Sequence, residues 1–191
     1  MIEIKNQQPQ QDDLSYWESS RSGDSNAFSF LFKKYYQPLF RFAGRFLQDY
    51  QLADQIVQNV FVDLWLKREQ LEIRSSFKSY LYQMTRNQAL NHLKKEAKTV
   101  SLEKVSNIPD KIEKNPDNIL AEKEFYIAVH KAIEKLPAKC RQVYVMKRYD
   151  QLTTEEVGRI LNISVNTVKT QMKRALKSLL EQLGPSLKNL K

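Results

Sequence analysis

A chain of 191 residues with 41% hydrophobic and 28% charged side chains has the balance of a folded protein with a buried core, which excludes a disordered chain. Its 31 Lys and Arg against 22 Asp and Glu leave a net charge of +9. The surplus is uneven, since residues from Lys131 onward hold 13 basic and 5 acidic side chains and the first thirty hold 2 and 5, so a polyanion partner is expected for most of the molecule but not for its N-terminus.

Residues from Met1 to about Ser20 are polar and glutamine-rich, and a mostly mobile arm over residues 1–22 is expected. After the Ser22, Gly23, Asp24 break, Phe28, Phe32, Tyr35, Leu39, Phe42 and Phe46 recur at spacings of four and three, which predicts a long helix with an aromatic core face. Pro38 should kink it or open a new helical segment. Ala53, Ile56, Val57, Val60, Phe61, Leu64 and Trp65 predict a second helix whose opposite face carries Asp54, Gln55, Gln58 and Val62.

A charged turn, 67–75, leads to a third helix over about Ser76 to Lys95. Phe77, Leu81 and Met84 lie on one side of it and Tyr82, Ala89 and Leu93 on another. Between them Tyr80, Gln83, Asn87, Asn91 and Lys94 form a stripe at helical spacing. Amides with an aromatic and a lysine suit unpaired bases and their backbone. Periodicity alone fits a plain solvated face with a core tyrosine at least as well.

Residues 97–114 lose periodicity, carry Pro109, and read as a flexible linker. Asn115 and Pro116 suit the cap and first turn of a helix running to Leu136 before Pro137, and a further helix covers Ala138 to about Tyr149. The stretch Thr153 to Lys177, TTEEVGRILNISVNTVKTQMKRALK, then reads as two helices and a tight turn. Thr153 with Glu156 forms a capping box, Ser164 caps the second helix, and Ile163 with Val168 has the spacing of a hydrophobic staple. Val165, Val168, Met172, Ala175, Leu176, Leu179 and Leu183 are expected in the core, opposite Asn166, Lys169, Thr170, Lys173 and Lys177. A lone amphipathic helix could carry such lysines simply as a solvated face. With the cap, the staple and small Gly158 in the preceding helix, the pattern favours a helix-turn-helix that meets a DNA major groove.

The expected class is therefore all-α, with two small helical domains, 23–96 and 115–191, joined by the linker; no strand pattern or hairpin turn is present. The one cysteine, Cys140, reads as a half-buried helical thiol, and His92 and His130 are too few to build a zinc site with it. The four glycines make no phosphate loop, and no catalytic constellation is visible, so neither an active site nor a cofactor or metal is expected. Without a signal peptide or an apolar run of spanning length, the chain is expected in the cytoplasm, with no direct membrane insertion.

Three segments in order, GDSNAFSFLFKKYY with LADQIVQNVFVDLW, then FKSYLYQMTRNQALNHLKK, then LPAKCRQVYVMKRYDQLTTEEVGRILNISVNTVKTQMKRALKSL, resemble the extracytoplasmic-function sigma factors over nearly the whole chain. The resemblance implies a sigma region 2 domain, a region 4 domain, and a role in promoter choice by bacterial RNA polymerase. It implies that Asp54, Gln55, Gln58 and Asn59 dock on core polymerase. It implies that Asn87 and Asn91, with the loop from Leu71 to Ser75, capture a flipped base of the minus-ten element. It also implies that Asn166, Thr167, Lys169, Thr170, Lys173 and Arg174 read the minus-thirty-five element. An anti-sigma protein, membrane-anchored, is expected to hold the two domains closed. The chain departs from the family at two places: Gln55 and Asn59 stand where relatives carry an acidic pair, and the 71–75 loop lacks their glycine and aspartate. Two rival readings are a helix-turn-helix regulator that acts without polymerase and a helical adaptor that binds only proteins.

Overall fold

The computed structural model describes residues 9–47, 49–73, 76–97 and 121–188, the side chains of 9–12, 46, 96–97, 121–126 and 185–188 excepted. All of the expected linker but Ala97, and the Asn115 and Pro116 cap, lie outside them. The described residues form eight helices and no strand. The chain divides into two compact units, Met1–Ser106 and Asn107–Lys191.

The first unit is built on α2 (Ser25–Leu47), which packs against α1 (Pro9–Arg21), α3 (Tyr50–Leu66) and α4 (Phe77–Ala97). Its core face is Ala27, Leu31, Tyr35, Leu39, Phe42 and Ala43, while Phe28 and Phe32 sit half-buried at its edge against Phe61 and Trp65 of α3. The side chain of Phe46, expected in this row, lies outside the described residues. The starts of α2, α3 and α4 each have a visible cause. Asp24 Oδ1 accepts from the amides of Asn26 and Ala27, Asp49 Oδ1 from those of Gln51 and Leu52, and Ser76 Oγ from that of Ser79. Gly23, at φ 97°, takes the left-handed turn that ends α1.

Two expectations are corrected here. The N-terminal arm is helical from Pro9, and α1 is part of the unit: Trp17 is fully buried, with its ring centroid 5.5 Å from that of Phe77. Asp13, also buried, accepts from Lys34 Nζ at 2.6 Å and from the Tyr35 hydroxyl. An almost wholly polar sequence therefore docks through the Trp17 ring, the Tyr16 ring stacked on Phe30 at 4.1 Å, and one paired carboxylate, with Arg21 adding hydrogen bonds to the turn after α3. Of the two outcomes expected at Pro38, the second is not seen: Pro38 opens no new segment, and α2 runs on through it for nine further residues to Leu47.

The second unit comprises α5 (Ala121–Glu134), α6 (Ala138–Arg148), α7 (Thr154–Leu161) and α8 (Val165–Lys188). Ala132, Ile133, Leu136, Cys140, Val145, Ala175 and Leu179 form its core, with Val129, Tyr144 and Leu183 packed alongside. Cys140 is buried rather than half-buried, and its thiol donates to Gln171 Oε1 at 3.0 Å. α5 ends two residues before Leu136, whose side chain still fills the core.

The expected capping box is present: Glu156 N donates to Thr153 Oγ1 at 3.1 Å and Thr153 N to Glu156 Oε2 at 2.8 Å. Asn162, left-handed at φ 54°, closes α7. The turn brings the Ile163 carbonyl so close that a Cβ on Gly158 would stand 2.9 Å from it, so glycine is required there. Ser164 Oγ then accepts from Thr167 N and starts α8. One core assignment fails: Leu176 is 45% exposed, because the buried line of α8 runs through Val168, Ala175 and Leu179 and leaves it at the edge.

Candidate nucleic-acid interface

On α8, Asn166, Lys169, Thr170, Lys173 and Arg174 are all exposed, and Lys177 extends the row. The Ser164 cap fixes the start of this helix, so the first residues are presented at a defined angle. Thr167 differs from the rest. It is half-buried, and its hydroxyl lies 2.8 Å from Ser164 Oγ, inside the cap. Arg174 stands on the flank, beside a cavity lined by Pro137, Lys139, Cys140 and Gln171. The other flank, beyond Lys169 and Lys173, is an apolar groove of Val168, Met172, Leu176 and Leu180. Cations and short hydrogen-bonding side chains on a rigid helix can hold phosphates and reach base edges.

On α4 in the first unit, Gln83, Asn87, Asn91 and Lys94 are exposed and Tyr80 is half-buried in the same row. Burial pushes the Tyr80 phenol above its ordinary pKa, so it stays a neutral donor and acceptor through the physiological range. The stripe is thus amides and one phenol, with a single lysine at its end. The helix is set on α3 by Gln88 Nε2, which donates to Asp63 Oδ2 at 2.9 Å. In the turn before it, Arg21 of α1 donates to the carbonyls of Arg68 at 3.2 Å and Glu69 at 3.4 Å. Further along, Leu71 is half-buried, Glu72 exposed and Ile73 buried; Arg74 and Ser75 fall outside the described residues.

On α3, Gln55, Gln58 and Asn59 are exposed, followed by Val62 and Leu66, which are 55% and 71% exposed. Asp54 is half-buried at the edge of this face. It accepts from the Tyr36 hydroxyl of α2 and, at 2.9 Å, from Gln58 Nε2. Sequence reasoning passed over Tyr36 and Gln88 because nothing in helical spacing tells which partner a neighbouring helix will offer.

The Sigma-70 region 2 family matches residues 31–99, and the Sigma-70 region 4 family matches residues 126–179. Among curated relatives, the ECF RNA polymerase sigma factor SigW of Bacillus subtilis is 27% identical over 172 residues, covering 85% of this chain and 92% of SigW. The ECF RNA polymerase sigma-E factor of Escherichia coli K12 is 24% identical over 180 residues, covering 90% and 94%. The chain belongs to the extracytoplasmic-function sigma factors. As a sigma factor it works with core RNA polymerase and promoter DNA and directs promoter-specific transcription; nothing in these matches supports a regulator that acts without polymerase.

Solved structures share the sigma factor's fold. CnrH, solved in complex with the cytosolic domain of CnrY, aligns at a TM-score of 0.62 and 20% identity over 91% of this chain and 98% of CnrH. RpoE of Bartonella quintana, solved with the anti-sigma factor NepR, aligns at 0.60 and 21% identity over 82% and 96%. Among the described residues, no group of His, Cys, Asp and Glu could hold a metal ion, and no helix is long and apolar enough to cross a membrane.

Proposed function

We propose that the sigma factor divides promoter recognition between its two units. In the region 4 unit, taken as 115–191, Asn166, Lys169, Thr170, Lys173 and Arg174 of α8 read the duplex minus-thirty-five element, while Thr167 fixes the helix start. In the region 2 unit, taken as 23–96 with α1 added to it, Tyr80, Gln83, Asn87, Asn91 and Lys94 of α4 hold the opened minus-ten strand. The face of α3 with Gln55, Gln58 and Asn59, edged by Asp54, docks on core polymerase. The observation that carries this reading is the contrast of two exposed rows, one cationic on a capped helix and one of neutral amides.

The protein acts by recognition and strand opening in the cytoplasm, without a cofactor, and nucleotidyl transfer belongs to polymerase. Parting the strands costs about 1.4 kcal/mol per base-pair step, which capture of the exposed strand must offset. Asparagine suits that task because its amide offers both a donor and an acceptor to an unpaired base edge.

The two solved neighbours carry bound partner proteins, one of them an anti-sigma factor. We propose an anti-sigma partner here also, membrane-anchored, covering the α3 face and α8 until a signal releases them. A pull-down from unstressed cells that recovers polymerase and no second partner would remove that part of the reading. Run-off transcription with core enzyme on genomic promoters tests the rest. Wild type should initiate where both elements are present, and Lys173→Ala and Asn87→Ala should each reduce initiation; variants as active as wild type would overturn the assignment.

A further inference from the structure

The α3 face carries no free charge. Gln51, Gln55, Gln58, Asn59, Val62 and Leu66 are exposed along one side of the helix, and a carboxylate stands at each edge of that side. Both carboxylates are turned onto partners within the unit. Asp63 accepts from Gln88 of α4, and Asp54 accepts from the Tyr36 hydroxyl of α2 and from the Gln58 amide. Each Asp54 oxygen thus has its own donor. Because Gln58 donates one N–H to Asp54 Oδ2, its rotamer is set, and its carbonyl and second N–H are left for a partner.

We propose that Asp54 is a positioning residue rather than a polymerase contact: Tyr36 and Asp54 hold Gln58 in place, and polymerase meets an uncharged face of side-chain amides flanked by Val62 and Leu66. The inference rests on the reading of α3 as the docking helix and adds the chemistry of that dock. An interface of amides and apolar area depends little on ionic strength, whereas one built on an exposed carboxylate and a cation weakens as salt rises. Its polymerase partner is therefore expected to offer hydrogen-bonding and apolar groups opposite Gln55 to Leu66, with no cation aimed at Asp54.

The test is the affinity of the full-length sigma factor for core polymerase, measured by competition across a range of salt concentrations. Asp54→Ala and Tyr36→Phe should each weaken binding by about three- to tenfold, the worth of a lost hydrogen bond. The double variant should be no weaker than Asp54→Ala alone, because the two act through one side chain. All three should keep the wild-type salt dependence. Asp54→Asn, which keeps an acceptor for Tyr36 and, once the Gln58 amide turns its oxygen to the new Nδ2, a partner for Gln58 without the charge, should retain most of the affinity. Loss of affinity in Asp54→Asn equal to that in Asp54→Ala, with a flattened salt dependence, would make Asp54 a direct ionic contact and overturn the proposal. Unchanged affinity in Tyr36→Phe would do so too. Val62→Glu tests whether α3 docks at all, since full core affinity in that variant would sink the docking assignment itself.

Discussion

Aromatic rings fill the first unit, where Trp17, Phe42, Phe77 and Tyr82 are almost wholly buried; the second closes on small and aliphatic side chains such as Ala132, Ile133, Ala175 and Leu179. Their outward faces differ as much. The α3 and α4 rows are amides with one phenol and a terminal lysine, while the α8 row carries Lys169, Lys173, Arg174 and Lys177. A cationic face acts at range on any phosphate, so its grip falls steeply with salt. A face of amides acts at contact, on base edges that become free only when the strands part. Under the proposed assignment, the pairing of one face of each kind would let a single chain find duplex DNA electrostatically and hold opened DNA by hydrogen bonds.

The largest expected effect tests how the first unit is held. Trp17→Ala removes a fully buried ring against Phe77 and should cost about 3 to 5 kcal/mol in urea unfolding of that unit. A loss below about 1 kcal/mol would return α1 to the status of an arm.

On the cationic side, Lys173→Ala should cost about 1 to 3 kcal/mol in promoter binding if it reads a guanine, with relaxed choice at one position. If it holds a phosphate, the slope of log affinity against log salt should fall by about one unit with sequence preference kept. Unchanged slope and unchanged preference would remove Lys173 from the interface.

A smaller effect sharpens the contrast in how the units are built. Thr153→Ala deletes one half of the capping box and should cost the second unit about 0.5 to 2 kcal/mol in thermal or urea unfolding. The first unit should be unmoved.

That contrast also explains what was readable in the residues. The α7–α8 turn is encoded locally: Thr153, Glu156, Gly158 and Ser164 each act within a few positions of their own place, and all four stand where spacing puts them. The α4 row was legible for the same reason, since helical period alone aligns Tyr80, Gln83, Asn87, Asn91 and Lys94. α1 was not legible, because its place depends on Phe77, Lys34 and Tyr35, which lie far along the chain. The same holds for Asp54, whose residue type suggests a free charge and whose partner on α2 says otherwise. Leu176 failed for a subtler cause: the α8 core line is narrower than a full amphipathic stripe, so the residue at its edge is exposed.

The central claim is that α4 acts on opened DNA, and transcription by Asn87→Ala on duplex and pre-melted bubble templates tests it most directly. Core binding and closed-complex formation should be near normal, open complexes on duplex should be fewer, and much of the activity should return on the bubble. Equal defects on both templates, or a loss of core binding, would contradict it.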